Sequence, residues 1–221
     1  MTKLSAKLVG LTQPTIDLRV PDAEGLVAFC ARVSNPQHQD KELGSLLDYC
    51  LRNKHFSIFE MVNAVVEVEA PRDISRQLLR HRSFSFQEFS QRYSDEIEFT
   101  DREFRRQDTK NRQNSIDDLD ASEKEAFTKA ASEIGNSLKE VYSEIRKLGI
   151  AKECARVILP EGLTMSRLYV NGTLRSWLHY LDVRDDPGVT QWEHVILARK
   201  IKKCLLPAFP TIFKGLDNVN N

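Results

Sequence analysis

The sequence predicts a mixed α/β (α+β) fold with a central, largely antiparallel sheet flanked by helices. Three observations point there. Short β-prone segments at residues 6–12 (AKLVGLT), 61–70 (MVNAVVEVEA) and 165–170 (MSRLYV) are scattered among longer amphipathic stretches. Helical periodicity is most sustained over residues 122–148, where apolar side chains recur every three or four positions. The 221 residues carry no internal repeat and no linker-like stretch, and they suffice for one sizeable core. One domain spanning 1–221 is the expectation.

Taken in order, residues 6–12 form a first strand. Pro21-Asp22-Ala23-Glu24 opens a helix over Gly25–Val33 with Leu26, Phe29, Cys30 and Val33 on its inner face. Ser34-Asn35-Pro36 ends it. A second helix runs from about Lys41 to Asn53 on the stripe Leu43, Leu46, Leu47 and Cys50. The loop His55–Glu60 follows, with His55, Phe56 and Phe59 expected inside. Strand 61–70 then feeds a helix that begins near Pro71, since proline suits a first helical position and Asp73 the first turn. Residues 83–90 alternate small polar and aromatic groups, as a strand or ordered loop does. Residues 94–125 hold eleven acids against six bases, and 94–120 reads as an exposed, mobile excursion. The long helix over Ser122–Leu148 buries Ala126, Ala130, Ile134, Leu138, Val141, Ile145 and Leu148, and Gly149 closes it. A helix from Lys152 is cut at Pro160. A strand over Met165–Val170, a helix over Thr173–Val183 and a last helix over Val189–Leu206 complete the chain.

Composition excludes several classes. Formal net charge is zero, with 41% apolar and 29% charged residues, so nothing global draws the protein to nucleic acid or membrane. The N-terminus MTKLSAKLVG lacks a signal peptide's apolar core, and no apolar run is long enough to span a bilayer. Cys30, Cys50, Cys154 and Cys204 are widely spaced, without C-x-x-C and without histidine at metal spacing. Reduced thiols in a cytoplasmic protein, and no metal site, are expected. No glycine-rich dinucleotide or phosphate loop is present, so a nucleotide would be held by side chains.

The densest chemistry lies in residues 71–93, PRDISRQLLRHRSFSFQEFSQRY. Arg72, Arg76, Arg80, Arg82 and Arg92 face only Asp73 and Glu88 there. Gln77, Arg80 and His81 share one helix edge. Guanidinium forks match phosphate oxygens, and hydroxyls complete such sites. A solvated basic face is the plain alternative; the R-H-R triplet followed by S-x-R-Y favours an anion site.

These residues resemble the signature of the flavin-dependent thymidylate synthases, R-H-R-x(2)-S-x-N-E-x-S-x-R-Y. Arg80, His81, Arg82, Ser85, Glu88, Ser90, Arg92 and Tyr93 match, while Gln87 stands where the family has asparagine. Further segments resemble the same family. His55–Glu60 is similar to its H-x-x-x-F-E element, although His55 reads equally as a packing residue. Ala155-Arg156 through Pro160 resembles A-R-x-x-L-P. Asn171–His179 resembles T-x-N-x-R-S-x-x-H with Thr and Asn exchanged. Leu181–Arg184 with Gln191-Trp192-Glu193 resembles L-x-L-R and A-Q-x-E.

The resemblance implies a reaction. A methylene passes from methylenetetrahydrofolate to C5 of dUMP, and a hydride from FAD, reduced by NADPH, completes dTMP. It implies FAD contacts from Ser57, Arg80, His81, Arg82, Glu88, Thr173, Leu174, Arg175 and His179. It implies dUMP contacts from Gln77, Leu78, Leu79, Arg80, Glu88, Phe89, Ser90, Gln91, Arg92, Arg156 and Arg184. Arg184 would be catalytic, polarising the uracil ring. No cysteine falls in a matched motif, so no thiolate nucleophile is expected. A homotetramer with shared active sites is likewise implied. Two rivals stand beside this: another FAD-dependent nucleotide-modifying enzyme, and a nucleic-acid-binding module, against which zero net charge counts.

Overall fold

The computed structural model describes residues 2–219, with backbone alone over 215–219. The chain runs from β1 (Ser5–Leu11) through α1 (Ala23–Ala31) and α2 (Leu46–Arg52) to β2 (Asn63–Pro71). Then come α3 (Arg72–Leu78), β3 (Ser85–Glu88) and a hairpin of β4 (Arg106–Gln107) and β5 (Ser115–Ile116). The second half holds α4 (Ala121–Lys147), α5 (Lys152–Ala155), β6 (Met165–Thr173), α6 (Leu174–Arg184), α7 (Trp192–Leu205) and α8 (Pro210–Val219).

Four strands form an antiparallel sheet in the order β1-β2-β6-β3. The strict alternation of β2 decides which way it faces. Ala64, Val66, Val68 and Ala70 are fully buried, as are Leu168 and Val170 opposite them. The other face carries Glu67, Arg167, Tyr169 and Asn171, partly or wholly exposed. Helices therefore cover one face, where Trp177, Ile74, Leu78, Leu197, Ile201, Phe209 and Phe213 join the strands in one core.

Local signals set most helix ends. Asp22 caps α1 through Gly25 N–H, and Asp120 with Glu123 makes a reciprocal capping box on α4. Gly149, at φ 79°, ends α4: its N–H donates to Arg146 and that of Ile150 to Ile145.

Several expectations give way. Helix α1 buries Ala23, Val27 and Ala28, whereas Val33 lies beyond it at 68% exposed. Small residues let α1 approach closely, so the bulkier stripe stays peripheral. Helix α2 starts only at Leu46, because Gly44 takes a positive φ just before it. Helix α7 begins at Trp192 rather than Val189. His55 is exposed, and the segment after it is a 3₁₀ turn, Phe56–Glu60. Residues 94–120 are pinned at several points. Phe99 bridges Thr164, and Arg102 grips Asp73 through two nitrogens at 2.8 and 3.0 Å. Helix α8 is not among the helices that periodicity predicts. Pro210 opens it, and the buried carboxylate of Glu24 accepts from Ile212 N–H at 2.9 Å. The largest departure is α4. Of its 27 residues only Gly135 and Tyr142 are buried. Phe127, Ile134, Val141 and, just past its end, Leu148 are exposed.

Candidate functional site

Two distant segments meet at the C-terminal end of α6. Arg184 is its last residue, and its Nε donates to Nε2 of His81 at 2.9 Å, across 103 positions of sequence. A nitrogen that accepts is unprotonated, so neutral His81 carries its hydrogen on Nδ1. Burial, then the charge of Arg184 and the proximity of His179, lower the His81 pKa to about 4. The ring is thus a neutral acceptor at physiological pH. The terminal nitrogens of Arg184 make no hydrogen bond among the described residues, so a half-buried planar cation is aimed but unspent.

The loop after His81 is held by close packing. Phe84 stacks within 4.4 Å of Trp177, which donates to the Ala64 carbonyl. The ring also lies directly on Gly172, where a Cβ would stand 2.2 Å from it. Only glycine admits that contact. Thr173 caps α6 by accepting from Ser176 N–H, and the Ser176 hydroxyl donates to Ser83 carbonyl oxygen.

Behind His81 lies a polar chain. His81 packs edge-on to Tyr180, whose hydroxyl is 3.1 Å from Nε2 of His194. His194 reaches Gln77, Gln77 reaches Gln191, and Gln191 reaches Glu193, which pairs with Arg105 at 2.6 Å. Tyr180 and His194 are fully buried. Sequence reasoning singles out neither. Their only signal is a tyrosine and a histidine on otherwise apolar helix faces, which reads as packing.

The remaining residues fall into two groups. Ser57, Arg80, Arg82, Arg175 and His179 are exposed around the turn 56–60, the loop after α3 and the outer edge of α6. Arg175 pairs with Glu60, tying that turn to α6. The side chains of Arg80 and Arg82 have no hydrogen bond or ion pair among the described residues. Ser90 and Arg92 lie past the other end of β3, beside α5. Arg92 approaches Glu153 at 3.7 Å, and Arg156 is exposed just beyond. The three residue steps of β3 from Ser85 to Glu88 alone separate the two groups by about 10 Å. Glu88 bonds Ser166 at 2.8 Å and pairs with Arg72 at 3.4 Å. Phe89 and Leu79 are half-buried. Leu78, Gln91 and Leu174 are buried, the two leucines in the core. Gln87 is exposed on the edge strand.

Among the described residues no disulfide forms, no cluster suits a metal, and no helix is long and apolar enough to cross a membrane. Burial pushes the Cys204 thiol up to about 11 and raises that of Cys50.

The family described as thymidylate synthase complementing protein matches residues 16–211. A flavin-dependent thymidylate synthase from Synechocystis sp. is 46% identical over 216 residues, 97% of this chain and 100% of that protein. A probable flavin-dependent thymidylate synthase from Paramecium bursaria Chlorella virus 1 is 44% identical over 97% of this chain and 99% of its own length. Among solved structures, a UMP/dUMP methylase, PolB from Streptomyces cacaoi bound with 5-Br dUMP, superposes with a TM-score of 0.80. It is 25% identical, over 98% of this chain and 96% of its own. With its sheet, its R-H-R loop and its α6 arginine in that company, the chain belongs to the thymidylate synthase complementing protein family, the flavin-dependent thymidylate synthases.

Proposed function

We propose that this protein converts dUMP to dTMP, taking a methylene from methylenetetrahydrofolate and a hydride from FAD that NADPH has reduced. The observation that carries the reading is the Arg184–His81 hydrogen bond. It immobilises one edge of a guanidinium and leaves the outer fork for a planar partner. Set against the carbonyl and N3 edge of uracil, that fork stabilises negative charge as it develops and raises electron density at C5. His81, being neutral, does not compete as a cation.

The exposed basic group fits an anionic dinucleotide held by side chains. Arg80 and Arg82 bring uncommitted guanidiniums, and Ser57 and His179 bring further polar groups. FAD bound there would supply the hydride. Gln77, Arg80, Ser90, Arg92 and Arg156 hold the nucleotide's base, sugar and phosphate, and no thiolate is needed. The raised thiol pKa values of Cys50 and Cys204 suit that view, since the thiolate is the reactive form.

Ser90, Arg92 and Arg156 lie past the other end of β3 from Arg80 and Arg82, a separation that active sites shared between copies, as the family resemblance implies, would accommodate. The α4 column Phe127, Ile134, Val141 and Leu148 repeats every seven residues on an exposed face. That spacing suits packing against a partner helix in a homotetramer.

The decisive experiment incubates purified protein with dUMP, methylenetetrahydrofolate and NADPH and assays for dTMP. A protein that takes up FAD and yields none refutes the reading. Replacing all four cysteines by alanine or serine should leave turnover measurable; complete loss in a folded, FAD-loaded variant would restore a thiolate mechanism.

A further inference from the structure

The polar chain behind Gln77 has a direction, and one charge sets it. Burial works against ionisation of Glu193, but the Arg105 hydrogen bond, a backbone N–H and the Arg105 and Arg102 charges outweigh it. Its pKa ends below the usual carboxylate range. An ionised carboxylate only accepts. The Gln191 amide, 3.0 Å away, must then turn its NH₂ to Glu193 and its oxygen to Gln77. Gln77 therefore turns its own NH₂ to Gln191, at 2.7 Å, and its oxygen to His194 Nδ1, at 3.2 Å. That oxygen requires a proton on Nδ1, which leaves Nε2 to accept from the Tyr180 hydroxyl. His194 is neutral, because burial, then the charge of Arg184 and the nearby His81, lower its pKa to about 3. Reversing any link would set two donors or two acceptors face to face in a low-dielectric interior.

We propose that the Arg105–Glu193 pair is a positioning device that orients the Gln77 carboxamide through Gln191 and selects the Nδ1–H tautomer of His194. The proposal rests on the reading above in which Gln77 contacts the nucleotide. Gln77 is half-buried, and one N–H and one carbonyl lone pair remain on its amide for a ligand, in one orientation only. The device also gives the 94–120 segment a task. Arg105 supplies the ion pair, and Arg102 clamps the same segment to Asp73 on α3, the helix that carries Gln77.

The test uses Glu193→Gln, Glu193→Asp, Gln191→Met and Gln77→Met in the full-length, FAD-loaded enzyme, with folding checked by circular dichroism. Protein labelled with ¹⁵N at histidine reports tautomers directly, and single histidine variants assign the signals. Wild type should show His194 as Nδ1–H. Glu193→Gln must turn its amide oxygen to Arg105 and its NH₂ to Gln191, which reverses the chain and should move His194 to Nε2–H, whereas Glu193→Asp should retain the wild-type form. In Glu193→Gln and Gln191→Met, KM for dUMP should rise about five- to tenfold, the loss of one ordinary hydrogen bond, with kcat within about threefold. A wild-type His194 signal of the Nε2–H type, or one unmoved in Glu193→Gln, overturns the proposal at the network. An unchanged KM in Gln77→Met overturns it at the substrate contact instead. Gln191→Met, away from the buried charge, decides the matter if Glu193→Gln does not fold.

Discussion

Helices α4 and α6 are both amphipathic in sequence, yet they meet opposite surroundings. Helix α6 is short and buries Leu174, Trp177, Leu178, Tyr180 and Leu181 against the sheet and α7. Helix α4 has 27 residues, a capping box and a glycine stop, and still leaves Ile134 56% and, just past its end, Leu148 80% exposed. Its inner side meets the body through half-buried Leu138 and Ile145, buried Tyr142, and Gly135 against Phe99. Apolar periodicity identifies a face that must be covered but does not say which chain covers it. In α6 the covering comes from within and carries Arg184 to the site. In α4 the stripe that the sequence assigns to the core is mostly outward.

The sharpest break of this contrast is at Arg184. Arg184→Ala should keep the fold and FAD while dTMP formation falls by roughly 10²-fold or more, the scale of one lost oxyanion-type donor. Arg184→Lys should recover only part, lacking the planar fork. A near-normal kcat in Arg184→Ala would remove α6 from the chemistry.

On the α4 side, Ile134→Asp with Val141→Asp should leave monomer secondary structure intact but shift the sedimenting species to smaller size. Activity should fall with it if sites are shared between chains. Unaltered assembly would mean that this face is not an interface.

The buried side of the comparison predicts acid sensitivity. His81 and His194 have pKa values lowered from 6.5 to about 4 and about 3. The unfolded chain therefore binds protons more readily, and stability is full above pH 6.5. It is lost as pH falls from 6.5 toward 4 for His81 and toward 3 for His194. For fully buried His194 the loss between pH 6.5 and 5 is about 2 kcal/mol. Urea midpoints at both pH values measure it, and His194→Gln should flatten the dependence. Equal midpoints in wild type would contradict a neutral buried histidine.

The smallest expected effect is at the cap of α6. Thr173→Ala should cost about 1 kcal/mol of thermal stability and Thr173→Ser close to nothing. A larger loss would show that α6 depends on its cap more than on its burial.

Much of the site is legible in the amino-acid sequence. The arginines of 71–93 stand out because charged and amide side chains cluster where plain packing does not need them. The segment ending in Arg184 and Gln191-Trp192-Glu193 stand out only through their resemblance to the family's motifs. Tyr180, His194 and Arg105 do not stand out. Each is unremarkable in its own segment and gains meaning only from a partner on another. Helix α8 is hidden for a similar reason: its first turn is capped by Glu24, 188 positions away.

What the sequence determined by itself are properties that decay within a few residues. These include the alternation that faces β2 inward, the caps at Asp22, Asp120 and Gly149, and the motif that names the family. Tertiary structure alone decided which apolar faces are covered, which thiols burial raises, and how Glu193 sets the direction of an amide chain ending at a buried histidine. Backbone sterics and local hydrogen bonds act between neighbours in sequence. Burial and charge act between neighbours in space, which for Arg184 and His81 means across 103 positions of chain.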